Sequence, residues 1–198
     1  MAKVSLKDIQ TLRTMTGLGM LDCKKALEES EGNVEKAVEI LRKRGVALAG
    51  KRAGKETAEG IVYAYIHPGD QTGVLVEINC ETDFVARTPA IKEFAKDVAM
   101  HIAAIKPRYI SPDEVEQSFL DKEREIAIAQ LKEQGKPDNM IEKIVEGKMK
   151  KIYNEVCLLK QPFVKDDKQT VEEVIQALSA KTGENVKIKR FAKFEIGE

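Results

Sequence analysis

The chain has 198 residues, 42% of them hydrophobic and 33% charged, which is the composition of a folded, soluble protein with one ordinary domain and a small additional module. Lys plus Arg equals Asp plus Glu at 33 each, so the overall charge does not favour a polyanionic partner. Three scattered cysteines without a CxxC, no apolar run near the ~20 residues that cross a bilayer and no signal-peptide core predict a cytoplasmic protein without a disulfide framework, a zinc site or a membrane span.

Residues 1–54 predict a three-helix module and a linker. Three helices that each carry one apolar stripe hide their stripes by packing on one another. We expect Gly45 to end the third helix and the small, basic residues 47–55 to form a linker with some helical character. The stripes are Leu6, Ile9 and Leu12; Met20, Cys23, Ala26 and Leu27; and Val34, Ala37, Val38 and Leu41.

Residues 55–198 predict an α+β core domain, in which an antiparallel sheet packs with helices. Alternating side chains in residues 61–66 and 74–78 flank a Pro-Gly-Asp turn and indicate a β-hairpin. Thr88 and Pro89 are typical of a helix start, as is the Thr170–Glu173 pair. A last strand has Val186, Ile188, Ala192, Phe194 and Ile196 in one phase, and we expect it to join the hairpin's sheet.

Residues 111–157 predict an antiparallel helical hairpin inserted in this core domain. Ser111 and Glu114 have the spacing of a capping box and are expected to begin a highly charged helix that ends near Gly135. A second charged helix follows over residues 139–156, and two long helices joined by a short Gly/Pro turn lie antiparallel. The heavy charge suggests that the hairpin projects into solvent or meets a partner.

The residues of known catalytic arrangements are scarce in this chain. It has two histidines and no GxxxxGK[ST], GxGxxG or HExxH motif, so we expect neither an enzyme nor a bound cofactor or metal. The carboxylates are scattered along charged helix faces, where solvated surface is their usual role.

Residues 79–87 stand out by residue type. They follow a strand, and Thr82 or Asp83 can cap a short helical turn on which Phe84 would be a natural wedge for insertion into a partner. The alternative is a core position for Phe84, which residue type alone favours. His101 lies one helical turn beyond Val98, beside the apolar stripe, where a histidine is more often packed or on the surface than functional.

Two motifs resemble the signatures of the elongation factor Ts family. Residues 16–27 (Thr-Gly-Leu-Gly-Met-Leu-Asp-Cys-Lys-Lys-Ala-Leu) resemble the first, and residues 79–86 (Asn-Cys-Glu-Thr-Asp-Phe-Val-Ala) resemble the second. Segments 100–104, 146–151 and 161–164 are also similar to that family, so the resemblance covers almost the whole chain. It implies a ubiquitin-associated-like N-terminal module, an α+β core and an inserted helical hairpin.

The resemblance also implies a function in translation elongation. The family is a guanine-nucleotide exchange factor for elongation factor Tu: it binds the GDP complex, disturbs the Mg²⁺ and phosphate site, and promotes GDP release. The ring of Phe84 would be the wedge between helices of the GTPase domain, and His101 would help to shape the same contact. The N-terminal module would dock elsewhere on the GTPase. The implied partner-binding residues are Thr82, Asp83, Phe84, Val85 and His101 in the wedge, and Arg13, Met20 and Leu21 in the N-terminal module.

The chain is similar to the short form of the family, because it shows one copy of a core subdomain that long members duplicate. This implies a homodimer or a 2:2 complex with the GTPase. For Met20 the pattern leaves a second interpretation open, since the helical spacing also puts it on the module's own core stripe.

Two other functions remain open from the residues alone. A module of this kind also occurs in adaptors, and the charged hairpin would then recruit another partner. Residues 1–55 hold 12 basic and 7 acidic side chains, so the basic stretch 42–55 could contact ribosomal RNA. The neutral total charge and an aromatic content of 5% disfavour direct binding of nucleic acid.

Overall fold

The computed structural model describes residues 4–197, and the α+β class is confirmed. A three-stranded sheet has the order β1-β2-β5, and β3 pairs antiparallel with β4. The strands are β1 (Glu59–Ile66), β2 (Thr72–Cys80), β3 (Pro162–Phe163), β4 (Asp166–Thr170) and β5 (Lys187–Glu195). The helices are α1 (Leu6–Thr16), α2 (Met20–Glu29), α3 (Val34–Arg52), α4 (Asp83–Ala86), α5 (Pro89–Ile105), α6 (Gln117–Glu133), α7 (Asp138–Val156) and α8 (Val171–Thr182).

The chain divides into two compact units that each draw on several segments. The first comprises residues 4–62, Glu77–Glu93 and Glu173–Lys189. The second comprises Tyr63–Val76, Phe94–Glu172 and residues 190–197. The boundary expected near residue 54 stays a prediction. The tail strand β5 does join the hairpin strands β1 and β2, whereas the small β3–β4 pair was not predicted.

In the first unit, α1, α2 and α3 share one core. Ser5 caps α1 by accepting the Asp8 N–H at 3.1 Å, and Asn33 caps α3 by accepting the Lys36 N–H at 2.9 Å. Leu6, expected on the first stripe, is 72% exposed and lies outside this core. The likeness to a ubiquitin-associated module stays a prediction. The buried core consists of Ile9, Leu12, Cys23, Ala26, Leu27, Ala37 and Leu41.

Gly45 does not end the third helix, as the sequence had suggested. Helix α3 continues to Arg52, so most of the expected linker is helical. A Cβ on Gly45 would lie 3.2 Å from the Cβ of Ala180 in α8, which is tighter than most side-chain contacts. The glycine therefore permits a close approach of two helices, whereas the sequence had suggested that it ends a helix.

In the second unit, α6 and α7 pack along a shared core with a short turn between them, in which Gly135 has φ 68°. The expected capping box does not form. Pro112–Glu114 is a single 3₁₀ turn, Ser111 makes no side-chain cap, and α6 begins at Gln117. Glu114 instead accepts the N–H of Ile110 at 2.9 Å. Insertion of the pair as a separate hairpin stays a prediction. Within residues 4–197, no helix is long and apolar enough to cross a membrane.

The burial of β5 changes along the strand. Val186 and Ile188 are buried, whereas Phe194, further along the same phase, is 69% exposed. The apolar phase expected from the sequence is therefore covered only as far as Ile188. In the second unit, one face of the sheet is therefore uncovered, and together with Gly73 it lines a shallow hollow. The apolar residues of this face are Ala64, Ile66, Leu75, Phe194 and Ile196.

Candidate partner-binding site

Residues 79–87 comprise the end of β2, a tight turn at residues 81 and 82, and the four-residue helix α4. Thr82 is the N-cap: its backbone is extended, and its Oγ1 accepts the Val85 N–H at 3.4 Å. Asp83 lies in the first helical turn, where a negative charge is favourable, and its carboxylate pairs with Arg87 at 3.0 Å. The cap expected from the sequence is therefore present, and it sets the direction of the residues that follow.

Phe84 is presented to solvent on this turn. Its side chain is 81% exposed, whereas Ala86 two residues later is 4% exposed and anchors the turn. The core position that residue type favoured for Phe84 is wrong. A phenylalanine side chain gains about 1.5–3 kcal/mol when it is fully buried, so an exposed ring on a fixed turn carries binding free energy that the fold has not used.

Glu81 ties the turn to the end of α3 and to the segment after α8. Its carboxylate accepts two bonds from Nη1 of Arg52, at 2.8 and 2.9 Å, and one from the backbone N–H of Asn185 at 2.7 Å. The bond from Asn185 and then that from Arg52 lower the pKa of Glu81. The amide of Asn185 donates in turn to the carbonyls of Ala53 and Lys55, at 3.3 and 2.9 Å.

Glu184 holds the same turn from the opposite direction along the chain. One carboxylate oxygen accepts the backbone N–H groups of Glu81 and Thr82, at 3.1 and 3.0 Å, and the other accepts the Thr82 hydroxyl at 2.6 Å. The thiol of Cys80 donates to the Thr82 carbonyl at 3.2 Å. Burial and then the charge of Glu184 raise the pKa of this thiol, which keeps it protonated and able to donate.

Sequence reasoning missed Arg52, Glu184 and Asn185. Their partners in residues 79–87 lie between 29 and 104 positions away along the chain. No local spacing or motif relates residues so far apart, and a glutamate after a helix reads as ordinary solvated surface.

His101 belongs to the second unit and is fully buried, at 0% exposure. The backbone N–H of Val164 donates to its Nδ1 at 3.2 Å, which makes Nδ1 an acceptor. The proton therefore sits on Nε2 and is donated to Oε1 of Gln161 at 2.9 Å. The ring of Phe163 stacks on the imidazole at 6.0 Å, and burial lowers the pKa of His101.

The predicted part of His101 in a partner contact stays a prediction. Because the ring has no exposed surface, any influence on a partner passes through residues 161–164, which it holds. Val164 in that segment is 42% exposed and is the route by which such an influence would reach the surface.

The N-terminal residues expected to dock lie around the turn between α1 and α2. Gly17, with φ 69°, ends α1 by donating its N–H to the carbonyl of Arg13 at 2.7 Å. Arg13 is exposed, Leu21 is 72% exposed and Met20 is 37% exposed, so the core interpretation of Met20 is wrong. Met15 is a further apolar side chain, 64% exposed in the last turns of α1, that sequence reasoning did not single out.

Metal-ligand side chains do not cluster near either region. Over residues 4–197, the histidines, cysteines and carboxylates form no group of three or more that could hold a metal ion. The cysteines Cys23, Cys80 and Cys157 are buried free thiols. What residues 79–87 and the α1–α2 turn offer is exposed apolar surface on a hydrogen-bonded backbone, which suits contact with another protein.

Comparison with known proteins gives these two regions a family. The family model described as "Elongation factor TS" matches residues 6–198. The chain belongs to the elongation factor Ts family. Both the α1–α2 turn and residues 79–87 fall inside the matched range, so the resemblance of the two motifs is confirmed.

Individual members of the elongation factor Ts family match over nearly their whole length. Elongation factor Ts of Carboxydothermus hydrogenoformans is 55% identical over 190 residues, which cover 96% of this chain and 88% of that protein. The protein of the same name from Thermotoga neapolitana is 54% identical over 196 residues, with 99% and 98% covered. That of Thermosipho melanesiensis is 51% identical over 195 residues, with 98% and 100% covered.

Proposed function

We propose that this protein is the guanine-nucleotide exchange factor of elongation factor Tu and that Phe84 is the wedge it inserts into the GTPase. The observation that carries the proposal is a phenylalanine 81% exposed on a turn whose backbone is fixed by hydrogen bonds. Exchange makes and breaks no covalent bond in the factor, so it needs a binding contact such as this apolar side chain and no catalytic group.

The mechanism is coupling between two binding sites on the GTPase. A factor that binds the nucleotide-free shape better than the GDP-bound shape weakens GDP binding by the same ratio, because the linkage is reciprocal. Insertion of Phe84 supplies the differential contact. It shifts the helices and loop that hold Mg²⁺ and the phosphates, and loss of that cation's charge neutralisation releases GDP.

The neighbours of the ring have supporting roles in this proposal. Thr82 caps the turn, and Asp83 presents a carboxylate beside the ring. Val85 is half-buried and flanks the contact. The N-terminal module docks at a second place on the GTPase through Arg13, Met20 and Leu21. Two docking points on one partner raise the effective concentration of the wedge at its site.

Release of fluorescent GDP from elongation factor Tu, followed by stopped flow, tests this function. The wild-type protein accelerates release, and Phe84→Ala removes about 2–4 kcal/mol of the interaction, as loss of a central interface anchor does. Because the ring is exposed, the thermal unfolding midpoint does not change. Ile105→Ala, which truncates another apolar side chain of 47% exposure, is the matched control and retains full exchange.

Two results would contradict the proposal in different ways. A Phe84→Ala variant as fast as the wild type removes the wedge but leaves the exchange function. A wild-type protein that does not accelerate release removes the function itself and favours an adaptor that binds some other protein.

We also infer that two copies associate through the uncovered sheet face, giving the homodimer or 2:2 complex expected of a short family member. A two-fold contact needs a patch that complements itself. On this face the exposed side chains of Phe194 and Ile196 line a shallow apolar hollow together with Ala64 and Gly73. Sedimentation equilibrium should give the mass of one chain for Phe194→Asp and of two chains for the wild type. Ile126→Asp is the control, because it places the same charge at an exposed apolar residue of α6 outside this face, and it should also give the mass of two chains. A wild-type mass of one chain at micromolar concentration would refute it.

Direct contact with nucleic acid has less support, because cations of the basic stretch are engaged within the protein. Arg42 pairs with Glu173 at 2.7 Å, and Lys43 pairs with Glu39 at 2.8 Å. Arg44 pairs with Glu29, and Arg52 with Glu81. Cations already neutralised by carboxylates release fewer counterions from a phosphate backbone.

A further inference from the structure

The turn that carries Phe84 is not fixed by its own local hydrogen bonds. Helix α4 has four residues, too few to be stable through its own hydrogen bonds. Ala86 is the residue of α4 that is buried, and the ring itself is 81% exposed. The direction of the ring is therefore decided by whatever fixes the backbone at residues 81 and 82.

That backbone is fixed by the carboxylate of Glu184. Two N–H groups in succession, those of Glu81 and Thr82, converge on one oxygen at 3.1 and 3.0 Å. The Thr82 hydroxyl donates to the other oxygen at 2.6 Å and at the same time accepts the Val85 N–H. One hydroxyl thus links the carboxylate of Glu184 directly to the first turn of α4.

The attachment is reciprocal. The backbone N–H of Asn185 donates to the carboxylate of Glu81 at 2.7 Å, while the carboxylate of Glu184 accepts the backbone N–H of Glu81. Arg52 closes the arrangement with two bonds to Glu81. The segment after β2 and the segment before β5 therefore each supply a carboxylate to the backbone of the other, and the bonds form one connected network.

We propose that Glu184 is a positioning residue for nucleotide exchange: its bonds to residues 81 and 82 hold Phe84 in the orientation that enters the GTPase. The inference rests on the proposed exchange function. Without the carboxylate, the turn samples other conformations, and the apparent affinity for the GTPase falls in proportion to the fraction that remains competent. The carboxylate makes charge-assisted bonds to three donors, so its removal should leave only a small competent fraction.

The test measures exchange as a function of factor concentration. Glu184→Ala should raise the half-saturating concentration about tenfold and leave the plateau rate within about twofold, since a disordered turn is a loss of competent fraction. Glu184→Gln keeps the shape and one acceptor and should give a smaller rise. Glu172→Ala is the matched control: its carboxylate lies on α8 and bonds Lys160 at 2.6 Å. It should leave both values unchanged.

A double-mutant cycle separates positioning from general stabilisation. If Glu184 acts through the ring, Glu184→Ala should change the half-saturating concentration by less than about threefold in a Phe84→Ala background, because coupled residues are not additive. Hydrogen exchange at the Val85 amide should also be faster in Glu184→Ala. Both variants are compared by thermal unfolding, and Glu184→Gln replaces Glu184→Ala throughout if the alanine variant does not fold.

The remaining outcomes distinguish a failure of the positioning role from a failure of the wedge. Equal effects of Glu184→Ala with and without the ring, a fall in the plateau rate alone, or no effect would overturn the positioning role while the wedge stands. A Phe84→Ala variant with wild-type exchange would overturn the wedge, and the positioning role with it.

Discussion

Phe84 and Phe163 lie on short segments that are held in a similar way but differ in exposure. In each, a side chain from a distant part of the chain accepts backbone N–H groups: Glu184 at residues 81 and 82, and His101 at Val164. Yet Phe84 is 81% exposed and Phe163 is 7% exposed. The hydrogen bonds fix the backbone that carries each ring, and the surroundings decide whether the ring is buried or exposed.

The chemistry of the two anchors matches this difference. The imidazole of His101 is neutral, in keeping with its complete burial, and each of its nitrogens has one partner. The carboxylate of Glu184 is half-buried, where a charge is tolerable, and it takes three donors. A charged anchor holds an exposed segment more firmly than a neutral one.

The comparison is tested most strongly by truncating the two rings in parallel. Phe163→Ala should lower the free energy of unfolding by about 3–5 kcal/mol, because it leaves a cavity beside His101. Phe84→Ala should change it by no more than about 0.5 kcal/mol, as exposed substitutions usually do. Urea denaturation of both variants measures the difference. Equal losses would mean that the exposed ring also supports the fold.

The pH dependence of stability sharpens the contrast between the anchors. Burial lowers the folded-state pKa of His101, so near pH 6 the unfolded chain binds the proton that the folded protein excludes. The stability that His101 contributes is therefore complete above the ordinary histidine pKa and is lost as pH falls towards the lowered one. His101→Asn should flatten the fall in unfolding free energy between pH 7 and pH 5. Parallel profiles for the variant and the wild type would assign that fall to other groups.

The smallest expected effect concerns the ion pair beside the buried ring. Lys165 pairs with Asp97 at 2.8 Å, and its side chain is 47% exposed. Lys165→Ala should lower the free energy of unfolding by less than about 1 kcal/mol, and added salt should reduce the difference further. A loss as large as that of Phe163→Ala would show that the segment depends on this pair rather than on the stacked rings.

Local patterns in the sequence were enough for several helices and for the capped turn at residues 82–86. Helical spacing identified α1 to α3, the Thr88–Pro89 start identified α5, and the capping residue Thr82 identified the turn of α4. Each of these depends on residues within about four positions of one another, which is the range over which capping and side-chain periodicity act.

The features that sequence reading missed depend on distant neighbours. Gly45 permits contact with α8 instead of ending α3, and the apolar phase of β5 is uncovered beyond Ile188. The exposure of Phe84 and the burial of His101 are likewise properties of what lies across from them. A residue's type sets only an average tendency to be buried. Whether these residues are buried depends on the segments packed against them, which are distant in the sequence.

The carboxylate of Glu184 reaches back 103 and 102 positions to residues 81 and 82. During synthesis the chain is made from its first residue onward, so Phe84 emerges from the ribosome long before the side chain that holds its turn has been added. The nascent protein therefore carries Phe84 on a turn without this support until Glu184 has been made. A product that stops short of Glu184 lacks the acceptor for the backbone N–H groups of Glu81 and Thr82. The support of this turn depends on translation reaching Glu184.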